Sequence, residues 1–450
     1  MTRAVAAQFS DVSFAYPHRM DFRGRCYPSP YFLQAQGPDL ARGLLRFDSG
    51  SPLGKWDAED SPAWDALMVH GANVWGAKGT LYARAKEGRR LWDAVGRRVN
   101  ADPLEHRGWE DADEPWQFMA WALEVGRLSS ADHRKGRPLT HLPVAADASN
   151  NGLQLFALMT GDRELAEWTN AIPGPDQPRD IYTEVAGRAT ERLRTLAAGG
   201  DREAQQWVAL LGSDGVPRSA SKRPVMTLPY GVTLWSAQHY VKDWYNEQWQ
   251  DDGPFGDAPG PACLLLARCI MGEVAGVCQG AVGAMRWIQS ACGEVTGTGT
   301  ALRWVSPSGW PVVQHYRKTR AKRIKADLAG SIRRLTIREG TGGVDPREQA
   351  QGSAPNFVHS VDAAVLHTAL AGWDAPVAAG HDSFATTAPL QPLLLSRLRD
   401  AVARCTLELD PLARLHVSLT AQCPSANIGP PPRLGVIDPD EVRASAYMFS

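Results

Sequence analysis

The sequence predicts an α+β protein that is mostly helical. Apolar residues recur at helical spacing over long segments, among them 64–73, 115–126 and 181–196. Apolar runs broken by turn residues indicate hairpins at 303–313 and 378–388. The chain has 450 residues, of which 44% are hydrophobic, enough for two or three subdomains around more than one apolar core.

Composition excludes several classes of protein. A net charge of -1 excludes a supercharged nucleic-acid coat but permits a local basic channel. The seven cysteines form no Cys-x-x-Cys pair, which favours reduced thiols in a cytoplasmic compartment over a zinc site. The most apolar long segment, 263–285, is interrupted by Arg268 and Glu273. It therefore predicts a buried helix continuing through Ile288, and no membrane partner is expected.

The N-terminal half is expected to contain further helices, although not at its start. Prolines among the aromatic and arginine residues of 14–31 rule out a continuous helix there. The charged stretch 82–99 is expected to be helical. A helix beginning near Asp180 should end at Gly199, and another should cover 205–211.

Two isolated aspartates each follow a short apolar run. Asp147 ends the run 142–146, and Asp382 lies where 378–388 is expected to turn. A single aspartate at such a position is usually an ordinary turn residue. Two of them on separate strands, with a basic helix between them in sequence, describe a phosphoryl-transfer site built on two metal ions.

The basic helix is expected at 218–230. Arg218, Lys222 and Met226 are four residues apart and so share one helical face, which Tyr230 would extend. Two cations and an aromatic ring suit a triphosphate with its base and sugar alongside. Pro229 predicts a kink or a helix end near Tyr230.

A second basic segment follows the predicted hairpin at 303–313. Nine lysines and arginines lie within the 22 residues 317–338, opposed only by Asp327. A solvated surface is the ordinary interpretation of such a run. The charge density and the neighbouring site favour contact with a phosphate backbone. A helix is then expected to open at 354–362 and to run to about Gly372.

Together these residues resemble the catalytic part of the bacteriophage-type single-subunit DNA-directed RNA polymerases, a group that includes mitochondrial enzymes. The matching blocks occur in family order, and the aromatic end 447–449 resembles the family's C-terminal foot. The blocks are 20–25, 70–73, 147–154, 180–182, 218–231, 303–312, 354–362 and 381–384.

The resemblance implies a right-hand polymerase with helical fingers inserted into a palm. Residues 1–175 would form the N-terminal part of the palm, and 359–450 its C-terminal part with the foot. Residues 176–358 would form the fingers, including the nucleotide-binding helix and a hairpin like the family's specificity loop.

The resemblance also assigns the chemistry. Asp147 and Asp382 would hold two Mg²⁺ ions, assisted by the backbone carbonyl of Ala148. Arg218 and Lys222 would bind the incoming triphosphate, and Lys222 could protonate the departing pyrophosphate. DNA template, RNA transcript and NTPs are the implied partners.

Further family positions concern selectivity. Tyr230 would lie under the new base pair and sense the ribose, with His359 near the sugar. Gly152 occupies the position where a related DNA polymerase family carries a glutamate that blocks the 2′-hydroxyl, and glycine is expected to leave that space open. Arg25 would contact the hybrid backbone. Arg323 and Lys325 match the base-reading positions of the promoter-reading loop.

Three alternatives to RNA synthesis stay open. A DNA polymerase of the related family would share the palm but is disfavoured by Gly152, and a primase-like polymerase is the second. The third is an inactive nucleic-acid-binding relic, which predicts loss of a metal ligand or a triphosphate cation. Asp147, Asp382, Arg218 and Lys222 are all present.

The start of the chain departs from the family. Members carry several hundred residues before the block at Asp21, forming a thumb and an N-terminal domain that helps to open promoter DNA. Here the resemblance begins near residue 14, so about 13 residues precede it. Either a second subunit supplies those parts, the gene start is misassigned, or initiation differs. A phage-encoded chain would act in the cytoplasm of a bacterial host.

Overall fold

The computed structural model describes residues 1–54, 61–131, 137–175, 178–249, 253–256, 258–328 and 331–449. The helices are α1 (Thr2–Gln8), α2 (Asp39–Gly43), α3 (Pro62–Trp75), α4 (Leu81–Leu91), α5 (Arg97–Ala101), α6 (Pro115–Ser129), α7 (Asn151–Thr160), α8 (Arg163–Trp168), α9 (Ile181–Ala198), α10 (Arg202–Leu211), α11 (Arg218–Met226), α12 (Leu234–Trp249), α13 (Gly260–Val277), α14 (Gln279–Gly297), α15 (Pro346–Leu370), α16 (Gln391–Ala403), α17 (Pro411–Gln422) and α18 (Pro439–Ala444). The strands are β1 (His18–Met20), β2 (Cys26–Pro28), β3 (Ser51–Pro52), β4 (Leu139–Thr140), β5 (Val144–Asp147), β6 (Leu302–Val305), β7 (Pro311–Gln314), β8 (Arg317–Leu328), β9 (Ser331–Val344), β10 (Ala378–Gly380) and β11 (Ser383–Thr386). The mostly helical α+β class predicted from the sequence is confirmed.

A small three-stranded antiparallel sheet, called the central sheet below, joins distant parts of the chain. Its strand order is β10-β11-β5, so a strand from the first third of the chain pairs with a hairpin near the C-terminus. Helix α7 follows β5 directly and is buried along nearly its whole length, because leucine, phenylalanine and methionine occupy all of its faces. The end of β5 is therefore held by its pairing with β11 and by the buried helix that follows it.

Two clusters of buried apolar residues confirm the expectation of more than one core. The larger cluster runs from Ala146 to Phe449 and includes α7, α9 and α13 to α16. The smaller cluster joins α3, α4 and α6 and contains Trp64, Phe118 and Trp121. Within it the indole N–H of Trp121 donates to the carbonyl of Leu67 at 2.8 Å, which satisfies the polar atom of a fully buried ring.

The long apolar segment is broken where the sequence predicts one helix. Helix α13 ends at Val277 and α14 begins at Gln279, with Cys278 between them. The Asp162 carboxylate accepts a hydrogen bond from the N–H of Gly280 at 2.9 Å, so a residue more than a hundred positions away caps α14. By length and composition α13 could cross a membrane, but Leu266, Ile270 and other residues bury one face of it in the larger core.

Two prolines affect the helices differently. Helix α11 ends at Met226 and a 3₁₀ turn over Leu228–Tyr230 follows, so the end predicted from Pro229 is confirmed. Helix α15 begins at Pro346, eight residues before the predicted start, because the Asp345 side chain caps it and Pro355 is accommodated inside it.

The proposed domain limits stay predictions. The boundary at 358/359 falls inside the continuous helix α15. At the other boundary, residues 176 and 177 lie outside the described residues.

The second basic segment forms a long hairpin of its own. Strands β8 and β9 pair antiparallel, with Arg323 opposite Thr336 and Lys325 opposite Arg334. The side chains along β9 are exposed. The shorter hairpin β6–β7 precedes it, as the sequence predicts.

Candidate active site

Asp147 and Asp382 meet at one end of the central sheet. Asp147 pairs in register with Ser383, and the N–H of Ala148 donates to the carbonyl of Asp382 at 3.0 Å. Their side chains therefore start from adjacent backbone positions. Burial raises the pKa of Asp382 to about 6, and the carboxylates of Asp362 and Asp147 add to the shift. A cation at this position would favour its ionised form.

The turn that carries Asp382 is tight. Gly380 pairs with Ser383, so His381 and Asp382 are the two central residues of a β-hairpin turn. His381 has a φ of 63°, the left-handed conformation that two-residue hairpins require at the first central position. The strand-turn-strand predicted from the sequence is confirmed.

The C-terminal residues hold the segment that follows Asp147. The N–H and the hydroxyl of Ser149 donate to the carbonyls of Met448 (3.1 Å) and Tyr447 (2.7 Å). Phe449 forms an isolated β-bridge with Ala148. The end of the chain thus supports the backbone of the aspartate site directly.

Arg218 and Lys222 occupy successive turns at the start of α11. The Arg218 guanidinium forms an ion pair with Asp180 and lies over the Tyr182 ring, 4.8 Å from its centroid. Lys222 is exposed one turn further along. The helical spacing predicted for these two cations is confirmed.

A third cation was missed from the sequence. Lys78 lies in the connection between α3 and α4. Burial lowers its pKa, and the nearby charges of Arg218 and Lys222 lower it further. The signal was present as a lysine between Gly76 and Gly79, just beyond the matching block at 70–73.

Tyr230 lies against His359 and Gly152. The rings of Tyr230 and His359 have centroids 4.8 Å apart. A Cβ atom on Gly152 would lie 2.7 Å from the Pro229 ring and 3.2 Å from the Tyr230 hydroxyl. The expectation of open space beside Gly152 is therefore wrong for this structure, because Pro229 and Tyr230 fill it. Glycine here permits their close approach.

His359 is a neutral imidazole with a defined tautomer. Burial lowers its pKa to about 2, and Arg25 and Arg23 add to this effect. The Arg23 guanidinium lies 2.7 Å from Nδ1, and arginine can only donate, so Nδ1 accepts. The proton of the ring is then on Nε2, which is a hydrogen-bond donor.

Arg25 is held by a carboxylate that the sequence reasoning did not assign to the site. Its Nη2 and Nε lie 2.7 and 3.0 Å from Oδ2 of Asp362, and both side chains are nearly buried. The other oxygen of Asp362 accepts from Asn151 at 2.6 Å. Asp362 thus connects the N-terminal hairpin with the start of α7.

Residues 58–429 match the model of the family described as DNA-dependent RNA polymerase. The chain belongs to the bacteriophage-type single-subunit RNA polymerases. It is 31% identical over 473 residues to DNA-directed RNA polymerase 2, chloroplastic/mitochondrial, of Arabidopsis thaliana, a match over 99% of this chain and 44% of that protein. It is 32% identical over 462 residues to DNA-directed RNA polymerase 3, chloroplastic, of Nicotiana sylvestris, covering 99% and 45%. The chain spans less than half the length of these curated relatives.

The donor set of this site fits Mg²⁺. In the part of the chain that the structure describes, no three or more His, Cys, Asp or Glu side chains form a metal cluster. Mg²⁺ usually takes one or two carboxylates and completes its octahedron with water and substrate phosphates. Asp147, Asp382 and the Ala148 carbonyl are oxygen donors of this type.

Arg323 and Lys325 lie outside the group of residues around Asp147 and Asp382. They lie on the β8–β9 hairpin, and no ion pair holds either of them among the described residues. The structure therefore separates the nucleotide-binding candidates from the two predicted base-reading residues.

Proposed function

We propose that the chain catalyses DNA-templated RNA synthesis by transferring a nucleotide from an NTP to the 3′-hydroxyl of an RNA, with release of pyrophosphate. The observation that carries the proposal is a cleft of about 780 Å³ that is lined by Asp147, Lys78 and Arg218. This cleft supports the proposal, because a candidate metal ligand and two cations that could bind phosphate line the same cavity. The DNA template, the RNA transcript and NTPs are its proposed partners.

Asp147, Asp382 and the Ala148 carbonyl would hold two magnesium ions. When bound, these ions would favour ionisation of the 3′-hydroxyl and neutralise charge on the triphosphate. The residues of the chain are mainly needed for positioning and charge compensation. The backbone pairing of Asp147 with Ser383 supports this assignment, because it holds the backbones of the two aspartates side by side.

Three cations would bind the triphosphate. Arg218 is oriented by Asp180, which leaves the rest of its guanidinium for phosphate oxygens. Lys222 is exposed and can donate a proton to the leaving pyrophosphate. Lys78 is stabilised in its charged form when a phosphate group balances the nearby Arg218 and Lys222.

The ribose would be recognised at Tyr230 and His359. The Nε2–H of His359 is available as a donor because Nδ1 is bonded to Arg23. Tyr230 fills the space above Gly152 in this structure, so it must move when a nucleotide occupies that space. The names of the relatives support RNA synthesis over DNA synthesis.

Three finer expectations stay proposals. The names of the relatives place those proteins in chloroplasts and mitochondria, so the bacterial host stays a prediction. The second subunit is proposed only for promoter opening, which costs roughly 1.4 kcal/mol per base-pair step. Arg25 is proposed to contact the RNA–DNA hybrid.

Extension of an RNA primer on a DNA template tests the proposal. We expect the purified chain with Mg²⁺ to add ribonucleotides to a primed, pre-opened template, in short products. Preference for dNTPs, or no addition of any nucleotide, would contradict it. A closed linear promoter duplex provides the comparison, and long specific transcripts from it would rule out the need for a second subunit.

A further inference from the structure

The cleft extends well beyond the cations assigned to the triphosphate. Its walls also include Arg84, Arg42 and Arg179. Most of these arginines have an acidic partner. Arg42 pairs with Glu114 at 2.7 Å, and Arg179 pairs with Glu167 at 3.3 Å.

Arg84 differs from these arginines. Arg84 is only 6% exposed, and its Nη1 donates a hydrogen bond to the side-chain oxygen of Asn73 at 2.8 Å. Its buried Nε has no hydrogen-bond partner, which is also true of Arg42, but Arg42 has Glu114 as a counter-charge. Across the described ranges, 61–131 included, no carboxylate forms an ion pair with it.

A buried guanidinium without an acid is unfavourable by itself. Burial lowers the pKa of Arg84, opposed by the Tyr447 phenol, but arginine stays protonated in proteins. Removing such a charge from water is compensated only by a counter-charge and full hydrogen bonding. A buried guanidinium that lines a cavity without an acidic partner among the described residues therefore indicates that an anion completes the site.

We propose that Arg84 binds a diphosphate group, namely the pyrophosphate that leaves after nucleotide transfer. This rests on the proposed function. The same cleft contains Asp147 and Arg218, so the path from the reaction centre to Arg84 is continuous. Lys78 lines the same cleft, and the charges of Arg218 and Arg84 both lower its pKa. The planar guanidinium is well suited to this ligand, because phosphate oxygens accept its N–H groups in pairs.

The reverse reaction separates pyrophosphate from NTP binding. Arg84→Met should raise the KM for pyrophosphate in pyrophosphorolysis about tenfold or more, as expected for loss of a charge-assisted contact. The KM for NTPs should change less than threefold. Lys86→Met removes a charge from an exposed position of the same helix and should change neither constant. Equal shifts in both constants, or no shift in either, would overturn the proposal.

Direct binding keeps the test independent of catalysis. Isothermal titration of the chain with pyrophosphate and Mg²⁺ should show at least tenfold weaker binding to Arg84→Met than to the wild type. Arg84→Lys keeps the charge and should be intermediate, and it replaces the methionine variant if that protein does not fold. Equal affinity of wild type and variants overturns the subsite. A wild type that binds pyrophosphate through Arg84 but adds no nucleotide contradicts the proposed function instead.

Discussion

The backbone N–H of Ala148 donates a hydrogen bond to the carbonyl oxygen of Asp382 at 3.0 Å. The peptide group that follows Asp147 is therefore hydrogen-bonded directly to Asp382. Together with the pairing of Asp147 and Ser383, this bond fixes the site through backbone atoms. Neither side chain is needed for that geometry. Substitution of either carboxylate should therefore change the charge of the site without disturbing the sheet.

The first prediction concerns stability and pH in the absence of divalent metal. Because burial raises the pKa of Asp382 to about 6 from 3.8, its contribution to stability is present below pH 3.8 and lost as pH rises through 6. The ionised group then destabilises the fold by on the order of 3 kcal/mol at pH 8. Thermal unfolding in EDTA should show a higher Tm for Asp382→Asn than for wild type at pH 8, with a smaller gain at pH 5. An equal gain at both pH values would contradict the assigned burial effect.

The second prediction concerns the phosphate cations. Lys222→Ala should raise the KM for NTPs about tenfold and slow the chemical step, because one charged contact and a proton donor are lost. Lys78→Met should raise the KM with a smaller effect on kcat. Steady-state primer extension measures both constants. The matched control is Lys242→Ala, which removes an exposed lysine from the neighbouring helix α12. If Lys222→Ala and Lys78→Met gave the same KM and kcat as this control, the assigned roles would be excluded.

Features encoded by neighbouring residues were predictable from the sequence. The turn at His381 and Asp382 follows from apolar runs on either side, and the shared face of Arg218 and Lys222 follows from their spacing. Contacts between distant segments were not predictable in this way. Pro229 reaches Gly152 only because the 3₁₀ turn Leu228–Tyr230 packs against α7, which is why the expected space is filled.

The same reason explains the other differences. The break before α14 depends on capping by Asp162, and hydropathy along the chain carries no signal for it. Asp362 looked like part of an ordinary helix, but its partners Arg25 and Asn151 come from two other segments. Composition alone could not place Lys78 beside Arg218.

The third prediction concerns sugar selectivity. Tyr230→Phe should retain ribonucleotide addition and admit dNTPs several-fold more readily, because a buried hydroxyl contact is worth about 1 kcal/mol. Competition between an rNTP and the matching dNTP on a primed template measures the ratio. Tyr82→Phe changes a tyrosine that is 79% exposed and should leave the ratio unchanged. The same ratio in wild type and Tyr230→Phe would rule out this role.

The fourth prediction separates base reading from phosphate contact on the β8–β9 hairpin. Arg323 and Lys325 are two residues apart and share a face, whereas Arg333 lies opposite Ala326 on the other face. Alanine at 323 or 325 should change sequence preference among duplexes. Arg333→Ala should mainly reduce the slope of log affinity against log salt by about 1. Binding to a panel of duplexes at several salt concentrations decides this, and equal losses on every sequence would indicate phosphate contact alone.

The most direct test of the metal-supported site is single-nucleotide extension of an RNA primer by Asp147→Asn and Asp382→Asn. Both substitutions keep the shape of the side chain and the backbone pairing of the sheet, so folding should be retained in circular dichroism and thermal unfolding. Loss of a charge that acts mainly in the transition state should lower kcat by orders of magnitude in each variant. Near-normal extension by either folded variant would contradict the assignment of these aspartates.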